Sequence, residues 1–287
     1  GASETLSYVV PAQGRITVRA DEVAAVAATA VSTVVESAQP LIVERTMFWN
    51  PQDPTAPNYG GHGGNAVEAP SRVWYFAEGS QGFFDTWVLL ANPNATDVTA
   101  TVTFLLDAGR PPLEVPVLVP ARQRETVFAG AYPRLVNTSF AITVTAPEPV
   151  LAERAMYFGG PPRWRGGHES PGTTTLATRW SLVEGATGDY FDTWVLVGNP
   201  NDAPVDLTFT FLLGTPYEGT TYVFRDRVGA RERYTLNPET LVRPDAFQLL
   251  GRVGMAACLV GMAAWLWVER PRTQVRRYPS MLPCPRE

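Results

Sequence analysis

The sequence predicts an all-β chain assembled from antiparallel β-sandwich units of about 107 residues. Three observations carry that expectation. Long phrases recur at nearly one offset, short Val-, Thr-, Phe- and Trp-rich runs alternate in polarity with period two, and Gly- or Pro-containing turns separate the runs.

Self-similarity sets the size of the folding unit. Phe84-Asp85-Thr86-Trp87-Val88-Leu89 returns as Phe191-Asp192-Thr193-Trp194-Val195-Leu196, an offset of 107. Asn92-Pro93-Asn94 returns at the same offset as Asn199-Pro200-Asn201. Trp74 and Glu78-Gly79 return one residue closer, as Trp180 and Glu184-Gly185. The opening of the chain matches the back half of the unit: Val10-Pro11-Ala12 aligns with Val119-Pro120-Ala121, residues 43–48 with 152–157, and Gly61-His62 with Gly167-His168. Common solenoid repeats run roughly 20–50 residues, so this longer period points instead to one sandwich domain per unit. The expected organisation is a back half-unit with a linker loop at 1–73, a complete unit at 74–179, the front of a third at 180–247, and an aberrant tail at 248–287. Each unit should hold its own core, with Phe84 and Phe191 in like surroundings. Gly1 falls in mid-pattern and no signal peptide precedes it, so the chain reads as part of something longer.

Within the complete unit, strands are expected at 72–77, 83–91, 98–106, 113–119, 125–128, 140–145 and 150–158. Asn92-Pro93-Asn94, Asp107-Ala108-Gly109, Pro120 and Pro147-Glu148-Pro149 punctuate them. Val98, Ala100, Val102, Phe104 and Leu106 share one face of their strand, while three threonines and Leu105 share the other. That is the pattern of a sheet with one buried and one wetter side. Short helices or turns are expected only near 21–28 and 131–136.

Composition excludes several classes. Hydrophobic residues at 45% with 18% charged supply real cores and argue against wholesale disorder. A net charge of −5 gives no basic face, so no nucleic-acid partner is expected. All 23 basic residues are Arg, the mark of a GC-rich genome. Cys258 and Cys284 both lie in the last 40 residues, leaving the body without a disulfide framework or a thiolate metal site.

Trp74-Tyr75-Phe76-Ala77-Glu78-Gly79, Phe84-Asp85-Thr86, Asn92-Pro93-Asn94, Glu153-Arg154-Ala155-Met156-Tyr157 and Gly167-His168 together resemble an uncharacterised tandem repeat of large exported proteins from GC-rich bacteria. The resemblance covers roughly residues 1–247. It implies an immunoglobulin-like sandwich for each unit and a secreted or cell-surface setting. It carries no activity and no cofactor.

The candidate residues have competing readings. Arg45 and Arg154 follow Glu44 and Glu153, and period two puts Arg154 on one face with Ala152 and Met156. An arginine on an apolar face requires a carboxylate, and Glu78, Asp85, Glu184 and Asp192 are the repeated acids. An internal Arg–carboxylate clamp that fixes register is preferred over a binding or catalytic role. His62 and His168 occupy Gly-His loops. Glu169 follows one and Gly63 the other, so no metal site is reproduced and loop packing is preferred. No Gly-x-Ser-x-Gly accompanies the histidines, which removes a serine triad. Glu78 with Asp85 has the look of a glycosidase pair, but its duplication argues against an active site. Calcium at Asp85 and Asp192 lacks a dense acidic loop. Tyr75, Phe83, Trp87, Trp164, Tyr190 and Trp194 suit either a sugar-stacking platform or core packing; core is preferred for Trp87 and Trp194, and exposure for Trp164. Asn94-Ala95-Thr96 and Asn137-Thr138-Ser139 match a glycosylation pattern by accident.

After Phe247 the strand pattern breaks. Residues 246–287 hold six arginines against two acids, and both cysteines. A short membrane anchor at 253–268 competes with a shifted reading frame, and the frame shift is preferred because 16 apolar residues fall short of the roughly 20 needed to span. A structural or adhesive stalk is the leading expectation, with a polysaccharide or another surface protein as partner. A carbohydrate-binding module and an enzyme accessory domain are the alternatives, and no catalysis is expected.

Overall fold

A computed structural model describes residues 4–49, 60–159, 165–187, 191–214 and 219–241. The chain divides into two units, Gly1–Pro238 and Glu239–Glu287, and the strands below belong to the first. Trp164, Tyr190 and the apolar run 253–268 lie outside the described residues. Among the described residues there is no α-helix, and no helix is long and apolar enough to cross a membrane.

The strands in chain order are β1 (Glu44–Trp49), β2 (Gly60–Asn65), β3 (Ser71–Phe76), β4 (Phe84–Ala91), β5 (Val98–Leu106), β6 (Leu113–Val119), β7 (Arg124–Phe128), β8 (Phe140–Phe158), β9 (Gly166–Pro171), β10 (Val195–Asn199), β11 (Val205–Leu212), β12 (Thr221–Val228) and β13 (Glu232–Leu236). All pairings are antiparallel, and the sheets curl into a sandwich-like arrangement around the central segment.

The sequence places two strands at 140–145 and 150–158; the structure joins them into β8. Its first half pairs with β5 and β3, with Phe104 opposite Ile142 and Trp74 opposite Val144. Its second half pairs with β4 and β9, with Val88 and Ser170 both opposite Arg154. One strand therefore serves two sheets, β6–β5–β8–β3 and β7–β4–β8–β9. Pro147 and Pro149 sit where it changes partners, at positions where no ladder N–H is needed. A register shift between Ser71 and Val73 absorbs the bend, and Arg72 braces it by donating to the Pro147 carbonyl and, at 3.0 Å, to the Glu148 carboxylate.

The two sheets close over Val88, Leu90, Val102, Phe104, Ile142 and Val144, all within 1% of complete burial. Each such side chain contributes about 1.5–3 kcal/mol by leaving water. Trp74 is equally buried because its indole N–H has a partner, the Val150 carbonyl at 2.8 Å. Two 3₁₀ turns, Ala129–Ala131 and Pro133–Leu135, plug one end with Ala129 and Leu135. Another 3₁₀ turn, Ala20–Glu22, stands near the first expected turn.

Neighbouring segments repeat these registers. Met47 faces His62 across β1–β2 as Met156 faces His168 across β8–β9. Gly198 faces Arg233 across β10–β13 as Ala91 faces Arg124 across β4–β7. Val205 faces Val228 as Val98 faces Val119. The surroundings of Phe84 and Phe191 nevertheless differ. Phe84 packs edge-on against Phe158 of β8, whereas Phe191 is 57% exposed. Among the described residues no β8-like strand bridges β10–β13 to β11–β12, so each remains a two-stranded sheet.

Candidate functional site

Two constellations gather the singled-out residues, one on each side of the sheet that contains β4 and the second half of β8. The inner one centres on Arg154, 4% exposed beside Ala152 and Met156. Its guanidinium donates to the carboxylate and backbone carbonyl of Glu78, lies 3.0 Å from Met156 Sδ, and stands 3.3 Å from His168 Nδ1. Glu78 also comes within 3.7 Å of His168 Nε2. Burial is the main cause that holds the His168 pKa below its ordinary value; the positive Arg154 acts in the same sense and Glu78 opposes them. Arginine, carboxylate and imidazole thus engage one another, while Arg154 Nε stays buried without a hydrogen-bond partner.

The other acids stand elsewhere. Asp85 accepts from Gln81 Nε2 at 3.0 Å, and the Gln81 side chain accepts in turn from the Thr86 N–H. Glu184 and Asp192 are exposed. Arg45 reaches neither Glu78 nor Asp85. It bridges Glu153 at 2.8 Å and Glu169 at 2.7 Å, acids whose spacing in sequence gives no hint of that meeting. The reason is placement: β2 lies against β9, which swings the β1–β2 hairpin onto the outer face of β8–β9.

The Gly-His segments form strands β2 and β9 rather than loops. The glycines explain the pairing. A Cβ on Gly60 or Gly61 would fall 2.4 or 2.6 Å from the rings of Trp49 or Phe48. A Cβ on Gly166 or Gly167 would fall 2.3 or 2.6 Å from Phe158 or Tyr157. Each glycine lets the opposing aromatic lie flat across the ladder, as edge glycines do when rescued by rings.

The outer constellation is aromatic. The sequence favours core packing for Trp87, but its neighbours Val88 and Leu90 take the inward positions and turn Trp87 outward, where it is half-buried. It stacks on Phe128 at 4.7 Å and meets Tyr157 edge-on at 5.4 Å. Trp49 packs edge-on against the other side of Tyr157 at 5.5 Å, and His62 Nε2 lies 3.0 Å from the Tyr157 hydroxyl. Phe128, Trp87, Tyr157 and Trp49 therefore form a continuous row across β7, β4, β8 and β1. Phe128, Tyr157 and Trp49 were not singled out by sequence; only their parity relative to Trp87, read against the register, would have found them. Trp194 is 55% exposed and Tyr75 half-buried.

At the edge of this row a shallow cleft of about 400 Å³ is lined by Glu44, Arg45, Gly64, Glu169 and Ser170, among others. Burial raises the Glu169 pKa, the nearby negative Glu153 adds to the rise, and Arg45 works against it. Burial is also the main cause that lowers the His62 pKa, with Arg45 acting the same way. Among the described residues no three His, Cys, Asp or Glu side chains are grouped to hold a metal ion.

The repeated asparagines and threonines act on backbone. Asn92 Nδ2 donates to the Thr96 and Val119 carbonyls, and Asn199 Nδ2 to those of Ala203 and Gly229. Thr86 Oγ1 donates to the Ser80 carbonyl and accepts the Ser80 N–H; Thr193 does both with Ala186.

No protein-family model matches this chain, and no curated protein does. Among solved structures, the crystal structure of Thermotoga maritima 1070 aligns over 36% of this chain and 94% of that one, at 14% identity and a TM-score of 0.33. The Anabaena sensory rhodopsin transducer aligns over 31% and 99%, at 21% identity and a TM-score of 0.26. Likenesses of this strength carry no argument about fold or function; what stands is an antiparallel, sandwich-like β chain with an outer aromatic row and an inner arginine cluster.

Proposed function

We propose that this chain is a non-catalytic structural and adhesive module of a secreted or cell-surface protein, built from tandem immunoglobulin-like β-sandwich repeats. One observation carries the reading: the polar residues that the sequence duplicates are used up holding strands together. Asn92 and Asn199 tie the same two loops, Thr86 and Thr193 tie the same turn, and Arg154 is closed against Glu78. Each of these groups is directed at its own backbone or at another duplicated side chain, the arrangement a structural role calls for. The Arg–carboxylate pair acts as a register clamp, Arg154 with Glu78 inside a unit and Arg45 with Glu153 and Glu169 between units.

A second reading has its own observation. The row of Phe128, Trp87 and Tyr157 presents rings along one sheet face, the form that a sugar-stacking platform takes. Affinity electrophoresis through gels of soluble polysaccharides, with a glycan array beside it, separates the two. Unretarded migration in every gel supports the scaffold. Retardation that Trp87→Ala abolishes overturns it in favour of a carbohydrate-binding accessory module.

A further inference from the structure

We infer that the β10–β13 pair is latched to the central sandwich at one fixed angle, so that the chain acts as a stiff spacer and not as domains on a loose tether. Neighbouring domains of a chain move relative to one another by default unless their contact is well held. Here the contact is made by the outer face of β10–β13. Gly198 and Arg233 lie opposite each other on that face. Val195, Val197 and Leu236, the counterparts of the core residues Val88, Leu90 and Val127, occupy the other. β13 packs on β5 and β8, and β10 packs on β8. The docked face is thus the one that a sandwich keeps outside its own core.

Attachment occurs at three separate places. Beside the end of β3, Gly198 comes so near that an added Cβ would fall 2.9 Å from the Ala141 Cβ and 3.7 Å from the Ala77 Cα. The central unit has Ala91 at the same position, so the strand itself tolerates a side chain and only the joint demands glycine. At the β5–β6 turn, the Gly109 N–H donates to Glu232 Oε1 at 2.8 Å, a charge-assisted bond. At the start of β6, Arg231 donates to the Glu114 carboxylate at 2.8 Å. An exposed ion pair of this kind holds little alone, but the backbone sets its aim. Arg231 has a φ of 52° and its N–H donates to the Asn201 carbonyl at 2.9 Å, as Arg122, with a φ of 54°, does to that of Asn94. Arg233 is 7% exposed. Burial lowers its pKa, and the negative Glu78 and Asp107 of the central sandwich oppose that, so the buried cation faces acids across the joint. The connecting chain is pinned as well: beyond β9, Tyr75 and Thr173 exchange both backbone bonds, at 2.8 and 3.0 Å.

Double electron–electron resonance tests the latch. In chains carrying Cys258→Ser and Cys284→Ser, spin labels are placed through Thr99→Cys in β5 and Thr235→Cys in β13, both at exposed positions. The otherwise unaltered chain should give one narrow distance distribution. Gly198→Leu should wedge the joint and widen that distribution at least twofold, while a pair at Thr99→Cys and Thr126→Cys, within the central sandwich, stays narrow. Arg231→Glu should widen it too, and adding Glu114→Arg should narrow it again, an arm that alters only exposed side chains. Should Gly198→Leu widen the inner pair as well, the charge-swap arm decides. A broad distribution in the chain with an intact joint, or a narrow one that both Gly198→Leu and Arg231→Glu leave unchanged, overturns the inference. It rests on the scaffold reading, but the two fail separately: polysaccharide retardation sinks that reading, whereas a flexible joint leaves a scaffold that is a tether.

Discussion

Replacing Arg154 probes the inner cluster directly. The guanidinium is 4% exposed and holds the Glu78 carboxylate, the Glu78 carbonyl and Met156 Sδ at once. Arg154→Ala removes all three contacts and opens a gap beside Ala152 and Met156. Breaking a buried pair by deleting one partner costs about 3–5 kcal/mol. The Glu78 side chain keeps 31% of its surface in water, so its carboxylate rehydrates partly and the expected loss falls to about 2–3 kcal/mol. In a folding unit of about 107 residues each kcal/mol moves Tm by about 4–8 °C, so the melt should shift down by roughly 8–24 °C. Arg154→Met restores the lost volume against Met156 and should recover about half of that loss. Glu78→Gln keeps an acceptor for the guanidinium and should cost less than Arg154→Ala. A double-mutant cycle on the two positions should return a coupling of about 1–3 kcal/mol. Differential scanning calorimetry is the assay. A Tm for Arg154→Ala within about 1 °C of the parent refutes the clamp, since a buried charge that closes an ion pair cannot be removed at no cost.

Stability should depend on pH with opposite signs at two places. His168 and His62 have folded pKa values below the ordinary 6.5, so below that pH the unfolded chain takes up protons that the folded chain refuses. Stability is therefore full above about pH 6.5 and declines as pH falls beneath it, and His168→Gln should flatten the decline in a urea titration. Glu169 has a raised pKa, so its own contribution is most favourable at low pH and weakens as pH rises above its ordinary 4.5; Glu169→Gln should gain stability at neutral pH relative to pH 4. Gly167→Ala puts a Cβ 2.6 Å from the Tyr157 ring and 2.9 Å from the Met156 carbonyl, and should cost about 1–3 kcal/mol by chemical denaturation. Asn92→Ala leaves the Thr96 and Val119 carbonyls and the Asn94 N–H without their partner and should cost about 2–3 kcal/mol; an unchanged midpoint would show that water replaces the amide.

Read residue by residue, the sequence determined what is local or repeated. Period-two alternation in 98–106 put Val98, Ala100, Val102 and Phe104 on one buried face, because successive side chains of a strand must point opposite ways. Asn92-Pro93-Asn94 marked a turn because the asparagine side chain bonds its own backbone two residues on. Alternation alone does not say which face is inward when both are apolar, and so the sequence favours for Trp87 the core that Val88 and Leu90 fill. Nor does it say which strand changes sheets: the prolines at 147 and 149 read as a break, and only pairing on both sides of them makes β8 continuous. The partners of a charge are equally nonlocal. Arg154 found Glu78, 76 residues away, while Arg45 crossed to Glu153 and Glu169, because the hairpin that carries Arg45 docks on a neighbouring sheet. Tertiary structure decided these matters, since strand order and face are set by the sum of contacts across the sandwich and not by any one stretch of chain.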